Sequence, residues 1–324
     1  MLKYGFGEAK GKAMSEQQKY RLVTRSDFDG LVCAVLLHEL NLIDEIKFVH
    51  PKDMQDGKIK ISGHDITTNL PYVADAHLVF DHHLSETIRN TGPRNNHVIK
   101  ADAPSTARVV YEYYGGKSAF PSIDEEMMAA VDKADSAQFS QDEILAPRGW
   151  DLLNFLMDAR TGLGRFKEFR VSNYALMMNL ITYCRDHTVH EILALPDVRE
   201  RIDLYIAHED KARMQLRRCT TVRRNLVVLD LRNEGTIWAT NRFMIYALFP
   251  QTNISIHVMW GLQKQNTVFA TGKSIINRTS KTNIGELMLK YGGGGHKNAG
   301  TCQVENDKAA AVLQELIEKI NADG

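Results

Sequence analysis

Little in this sequence points away from an ordinary globular protein. Its four cysteines, Cys33, Cys184, Cys219 and Cys302, are widely scattered, with no CxxC pair, so no disulfide framework is expected. The chain opens without a basic and then apolar leader, and a reduced, cytoplasmic setting is the natural expectation. No apolar run approaches the roughly 18 to 20 residues that a bilayer demands, so no membrane partner is expected. There is also no net charge, 40 Lys plus Arg against 40 Asp plus Glu. Without a global positive field, long nucleic acid is not an expected partner, and an anionic substrate must be gripped locally. A homodimer is left open.

What is present is a globular composition, 44% hydrophobic and 25% charged, in 324 residues. That length is too great for one ordinary core and implies two domains with a cleft. From Tyr20, short apolar runs alternate with helical stretches: YRLVT as a buried strand, LVCAVLLHEL as a helix, then EIKFVH, KIKIS and HLVF as strands. This predicts an α/β fold with a mostly parallel, doubly wound sheet. A helical region follows from about 105 to about 218, and a smaller α/β domain begins at NLVVLD, continues through NISIHVMW and TVFATGKSII, and ends on NDKAAAVLQELIEKI. Between them Lys211, Arg213, Arg217, Arg218, Arg223 and Arg224 form a basic run, read either as a solvated helix face or as a wall attracting anions.

In doubly wound sheets the chemistry sits at the carboxyl ends of strands. In TRSDFDG, between a strand and a helix, Asp27 and Asp29 stand two apart, where two carboxylates can bind a hard cation, although an aspartate there is equally a helix N-cap. Asp65 in SGHDITTN, read as following the KIKIS strand, is a ligand or an Asx-turn aspartate, and His64 beside it is equally ambiguous. FDHH places Asp81, His82 and His83 at a strand's carboxyl end, where three polar groups would need satisfying at once, so ligation or phosphate contact is favoured. In VDKADSAQF, Asp135 is the better ligand and Asp132 a helix-surface acid.

Together Asp27, Asp29, Asp65, Asp81, His82 and Asp135 make an oxygen-rich set suited to Mn²⁺ or Mg²⁺. Two such ions would activate a water and polarise a phosphoryl oxygen. Near the other end, YGGGGHKNAG offers glycines that let the backbone approach a phosphate, with His296 and Lys297 beside them. Arg278, upstream, is either a phosphate clamp or a surface ion-pair partner.

The aspartate loop, Asp81-His82-His83 and Gly293-Gly294-Gly295-His296, in this order, resemble the DHH phosphoesterases with the DHH-associated C-terminal domain. That family holds nanoRNases, linear and cyclic dinucleotide phosphodiesterases and exopolyphosphatase-like proteins. The resemblance spans about Tyr20 to Val304. It implies two Mn²⁺ (or Mg²⁺) ions in the interdomain cleft: Asp27 on one, Asp29, His82 and Asp135 on the other, and Asp65 bridging them. Asp81 would ligate or orient His82, and His83 would contact the scissile phosphate. Arg278, Gly293, Gly294, Gly295 and His296 would hold the far end of the substrate. The implied domains are a flexible extension over 1–19, a DHH catalytic domain over 20–190, a connector over 191–222 and a substrate-binding domain over 223–324.

One position departs from the family. Many members carry a histidine ligand where this chain has Arg25, and a guanidinium cannot ligate a cation. The first ion site is then weakened, completed by His64 or water, or replaced by Arg25 as a catalytic positive charge on the phosphate. The expected function is metal-dependent hydrolysis of a short anionic substrate, a dinucleotide, short oligonucleotide or short phosphate chain. The alternative is a nucleotide-sensing module with a degenerate metal site.

Overall fold

Short runs of Val, Leu, Ile and Phe, apolar on both faces, form the centre of the first sheet. The computed structural model describes residues 18–83, 86, 92, 94–166 and 168–324. The extension expected over 1–19 lies outside these apart from its last two residues. Strands β1 (Tyr20–Arg25), β2 (Ile43–Val49), β3 (Asp65–Thr68), β4 (Leu78–Asp81) and β5 (His97–Ile99) pair in parallel in the order β2-β1-β3-β4-β5. The Phe28–Glu39 helix is buried continuously from Phe28 to Leu37. An apolar stretch without a polar stripe belongs inside the protein. It crosses beneath β1 and packs on the Thr106–Tyr113, Glu125–Asp135 and Asn173–Asp186 helices.

The strand order sets where a ligand can enter. From β1 the chain adds β2 on one side and β3, β4 and β5 on the other. The connections after β1 and β3 therefore diverge, leaving a crevice at their carboxyl ends. A short hydroxyl ladder closes its floor: Thr68 Oγ1 donates to Thr24 Oγ1 at 2.7 Å, and Thr24 Oγ1 to the Thr68 carbonyl at 3.2 Å.

The second sheet comprises β6 (Thr220–Arg223), β7 (Leu226–Asp230), β8 (Ile254–Trp260), β9 (Thr267–Lys273), β10 (Gly294–His296) and β11 (Ala299–Val304), in the order β10-β11-β9-β8-β7-β6. Here β7 and β8 run parallel and the other neighbours antiparallel. Side chains alternate across a strand, and β7 uses both faces. Leu226 and Val228 join a core with Ile254, Phe269, Leu316 and Ile320, whereas Val227 and Leu229 join the large core of the first domain and the helical region. The second sheet is thus clamped between its own helices and the rest of the protein. Among the described residues no helix is long and apolar enough to cross a membrane.

Two expectations need correction. Residues 58–62 are not a strand: Ile59 and Ile61 are half-buried and pack against the small cluster of Val23, Val49, Met54 and Leu70, while the third strand is Asp65–Thr68. YGGGGH is not an open loop, because Gly294–His296 forms a strand with β11. Its glycines serve close packing: a Cβ on Gly293 would fall 2.2 Å from the Thr301 carbonyl oxygen, and one on Gly295, at φ +155°, 2.3 Å from that of Ala299.

Asp65 therefore begins β3. Its buried carboxylate accepts from Arg21 Nε at 2.6 Å, Ser62 N at 2.7 Å and Ser62 Oγ at 3.1 Å. Burial alone would raise its pKa, but the Arg21 and Ser62 hydrogen bonds outweigh it and hold the group below the usual carboxylate value. A depressed pKa stabilises the fold above the unfolded value of about 3.9, and that gain is lost as pH falls through the lower folded value. Asp65→Asn is expected to cost about 1–3 kcal/mol in denaturant unfolding at neutral pH, since it strips a partly buried guanidinium of its partner. The difference from wild type should shrink as the solution is acidified.

Candidate functional site

The turn after β1 is built around Gly30. A Cβ there would lie 2.0 Å from the Arg25 carbonyl oxygen and 2.8 Å from Thr24 Oγ1, so glycine lets the helix start directly against the strand end. Asp27 caps that helix, its Oδ1 accepting from Gly30 N at 3.0 Å. The same oxygen accepts from Asn69 Nδ2 at 3.1 Å, and Oδ2 pairs with Arg25 Nε at 2.8 Å. Asn69, one residue beyond β3, is buried, as is its unpartnered Oδ1. A backbone amide, a carboxamide and a guanidinium thus occupy the carboxylate expected to hold the first ion.

This arrangement also corrects the bridging role expected of Asp65. Asn69 lies four residues further along, about 13 Å at the usual strand rise, so Asp65 lies at the wrong end of β3. Exposed His64 stays there too, 6.1 Å from the Tyr20 ring, and completes nothing in the crevice. The side chain facing Asp27 across the switch point is Asn69.

Asp29, His82 and Asp135 converge instead. One potential ligand atom from each lies within 4.8 Å of the others. Asp29, buried in the first turn of its helix, turns both oxygens to another helix's start, accepting from Thr106 N at 3.0 Å and Ala107 N at 2.7 Å. Helix N-termini stabilise negative charge. Even so, burial and neighbouring Asp135 push its pKa up to about 7. Asp135 ends the Glu125–Asp135 helix; burial would raise its pKa, but His82, then His83 and Arg25, bring it down.

His82 follows β4. Its Nδ1 lies 3.0 Å from the Ala103 carbonyl, which makes Nδ1 the donor and leaves Nε2 for a ligand. Nε2 is 2.7 Å from Asp135 Oδ2, yet it is buried with no partner in hydrogen-bond geometry. Burial lowers the imidazole's pKa, but Asp135 and Asp29 override this and bring it up to about 10. Two carboxylates and an imidazole crowded together, with a protonated form favoured, are a donor set that a hard divalent cation can satisfy by displacing the proton. The residues therefore fit Mn²⁺ or Mg²⁺.

Of the two roles expected of Asp81, the structure overturns only the orienting of the His82 ring, and the Asp81 Oδ2 is buried without a partner among the described residues. Asp81 is wholly buried, and its Oδ1 accepts from His82 N at 2.9 Å, His83 N at 3.3 Å and His83 Nδ1 at 2.7 Å. It orients His83, whereas the Ala103 carbonyl orients the His82 ring. Burial lowers the His83 pKa, but Asp81 outweighs it, so the net shift is upward. Asp132, read as a surface acid, accepts from Ser105 Oγ at 2.7 Å and Arg108 Nε at 2.9 Å. Ser105 caps the helix whose first amides hold Asp29, so Asp132 braces the site from behind.

Two cavities flank this centre. The first, about 520 Å³, is lined by Arg25, Asp27, Asn69, Asp81, His83 and, from the second sheet, His296. The second, about 740 Å³, runs from Asp135 past Arg242 and Lys273 to Arg278 and Lys297. Arg160 lines both. His296 thus reaches the cleft, while Gly293, Gly294 and Gly295 line neither cavity. Arg278 is engaged across the domains, donating from Nη2 to the Ala137 carbonyl at 2.7 Å. None of the six basic residues of the 211–224 run lines either cavity. Arg213 instead donates to the Leu145 carbonyl and Arg218 pairs with Glu234.

Sequence reasoning missed Asn69, Arg160 and Arg242. Arg160 grips Asp158 with Nε at 2.7 Å and Nη2 at 2.8 Å, and Arg242 Nε lies 3.2 Å from the same carboxylate. The Asp-Ala-Arg spacing is the only local sign of this pair, and such triplets are common on surfaces.

No protein-family model matches the chain, and no curated protein does. Among solved structures, the pGpG-specific phosphodiesterase PggH from Vibrio cholerae is 64% identical, covering 94% of this chain and 100% of its own, with a TM-score of 0.84. RecJ of Thermus thermophilus, solved with Mn²⁺, is 14% identical, covers 94% of this chain and 52% of its own, and has a TM-score of 0.53. RecJ shares the fold. With 64% identity to a phosphodiesterase over nearly its whole length, and with Asp81-His82-His83 at the heart of its cleft, the chain belongs to the DHH phosphoesterase family and is a phosphoesterase.

Proposed function

We propose that this phosphoesterase cleaves the internal phosphodiester bond of a short 5′-phosphorylated dinucleotide, with pGpG the substrate suggested by its similarity to PggH, using one divalent cation. The carrying observation is the convergence of Asp29, Asp135 and the buried His82 Nε2, which lies 2.7 Å from Asp135 Oδ2 without hydrogen-bond geometry. Mn²⁺ or Mg²⁺ held there would supply Lewis-acid polarisation of a phosphoryl oxygen and a more acidic water.

The chain's own residues do the rest. Arg25, pinned by Asp27, sets a permanent positive charge on the wall of the first cavity, where a second ion's charge would otherwise act on the phosphate. Asp81 holds His83 by Nδ1 and favours its cationic form, so Nε2 is free to donate to a phosphoryl oxygen. Arg160 stands where the two cavities meet and steadies the remainder of the substrate. His296 closes the first cavity from the second domain, while Lys273 and Lys297 receive a terminal phosphate in the second. A nucleotide sensor had only Arg25 in its favour, and the Arg25–Asp27 pair gives that residue a place in a working site. The division at 20–190, 191–222 and 223–324 puts the cation ligands in the first segment and the terminal-phosphate lysines in the last.

The test combines ion counting by mass spectrometry with turnover of pGpG and a short polyphosphate. One Mn²⁺ per chain and hydrolysis of pGpG are expected, with Asp135→Ala losing both. Two ions per wild-type chain, or turnover of polyphosphate alone, would overturn the proposal. Arg25→Ala should bind one ion normally but lower kcat by about 100-fold or more, the usual loss when one preorganised charge on the phosphoryl group is removed. The double variant Arg25→His/Asn69→Asp frees Asp27 and supplies two further ligands, so its stoichiometry is expected to rise to two.

A further inference from the structure

A third cavity, about 290 Å³, opens beside the second one, between the Pro196–Arg218 helix and the second sheet. The two share Arg160, Arg242, His257 and Ala270. Its walls include Leu229, Leu231, Ile245 and Met259, mostly buried and apolar. It lies at the lower edge of the range for ligand pockets, roughly 300–1,000 Å³. That suits a single planar ring system, with charged parts of the ligand left outside in the cationic cavity.

Polar groups concentrate at its shared mouth. Arg242 stacks its guanidinium 4.2 Å from the Phe243 ring centroid. Its Nε, although 3.2 Å from Asp158, is buried and makes no hydrogen bond. Asp158 already accepts two hydrogen bonds from the Arg160 side chain. Burial and the Arg160 charge pull the Arg242 pKa down to about 10. A desolvated donor fork with a shared counter-ion gains from any ligand that brings acceptors. His257, on β8, makes no hydrogen bond among the described residues, and burial brings its pKa down to about 4, so it is neutral at pH 7.

Purines differ in what they show to such a fork. Guanine displays two adjacent acceptors, O6 and N7, whereas adenine offers N7 beside an amino donor. Arginine has donors only. Adenine would therefore set donor against donor and leave both unpaired. We infer that this inner cavity is a guanine subsite, in which Arg242, flanked by His257, reads the acceptor edge of the base while Leu229, Leu231 and Met259 enclose the ring. The inference rests on the dinucleotide reading above and adds to it the residues that choose the base.

The experiment is calorimetric titration of the full-length, Mn²⁺-supplied protein with GMP and with AMP, which differ only in the base. GMP is expected to bind at least about tenfold tighter, the factor that one bidentate arginine contact supplies. Arg242→Gln and Met259→Trp, each checked for folding by its melting temperature, should bring GMP to the affinity of AMP. Equal affinities in the wild type, or a preference that survives in both folded variants, would overturn the subsite. Absent pGpG hydrolysis together with a retained GMP preference would sink the hydrolytic reading and leave the subsite standing.

Discussion

The ion pair between Arg25 and Asp27 governs the rest of the cleft. An aspartate at a strand-to-helix turn can cap the helix and still offer an oxygen to a cation. Here Oδ2 is taken by a guanidinium, and Oδ1 by Gly30 N and Asn69 Nδ2. A fixed organic cation stands in the first position, and the neutral Asn69 amide faces it where a carboxylate would have drawn a second ion. The neighbouring Asp29, His82 and Asp135 each bring a potential ligand atom within 4.8 Å of the others. On the proposed reading, positive charge on both sides of the phosphate would come from one exchangeable ion and one permanent group. Arginine suits the permanent role because it stays protonated and holds its partner through directional donors.

The cleft separates its charges along its length. Carboxylates and imidazoles gather at the carboxyl ends of β1 and β4 and at the end of the Glu125–Asp135 helix, while arginines and lysines line the wall toward the second sheet. An overall neutral chain therefore grips an anion without a general positive field, and short substrates gain most from such an arrangement. Supporting residues stand behind the contacts: Asp81 behind His83, the Ala103 carbonyl behind His82, and Asp132 through Ser105 behind the amides that hold Asp29.

Much of this was legible in the sequence. The two α/β units, the strand ends carrying Asp27, Asp29 and the DHH triplet, and the helix end carrying Asp135 follow from hydrophobic periodicity and the type of residue at each break. The error at Asp65 came from one misjudged strand. KIKIS alternates like a half-buried strand, whereas DITT begins with a charge and reads as a turn. Tertiary pairing decides the matter, because Arg21 neutralises Asp65 from the neighbouring strand and frees Asp65–Thr68 to sit in the sheet's centre. Moving the strand by a few residues takes Asp65 to its amino end and brings Asn69 to the site. The glycine run misled similarly, since its tight backbone contacts serve a β-hairpin packed under a helix. Arg160 shows only the common Asp-Ala-Arg triplet and Arg242 no local pattern, because only the fold brings both to one carboxylate.

The most direct test of a single-ion centre completed by Arg25 is anomalous diffraction at the manganese edge from crystals grown with Mn²⁺ and pGpG under conditions that slow turnover. One peak among Asp29, His82 and Asp135, with the Arg25 guanidinium against a phosphoryl oxygen, is the predicted result. A second peak bound to Asp27, with Arg25 displaced from it, would contradict the account.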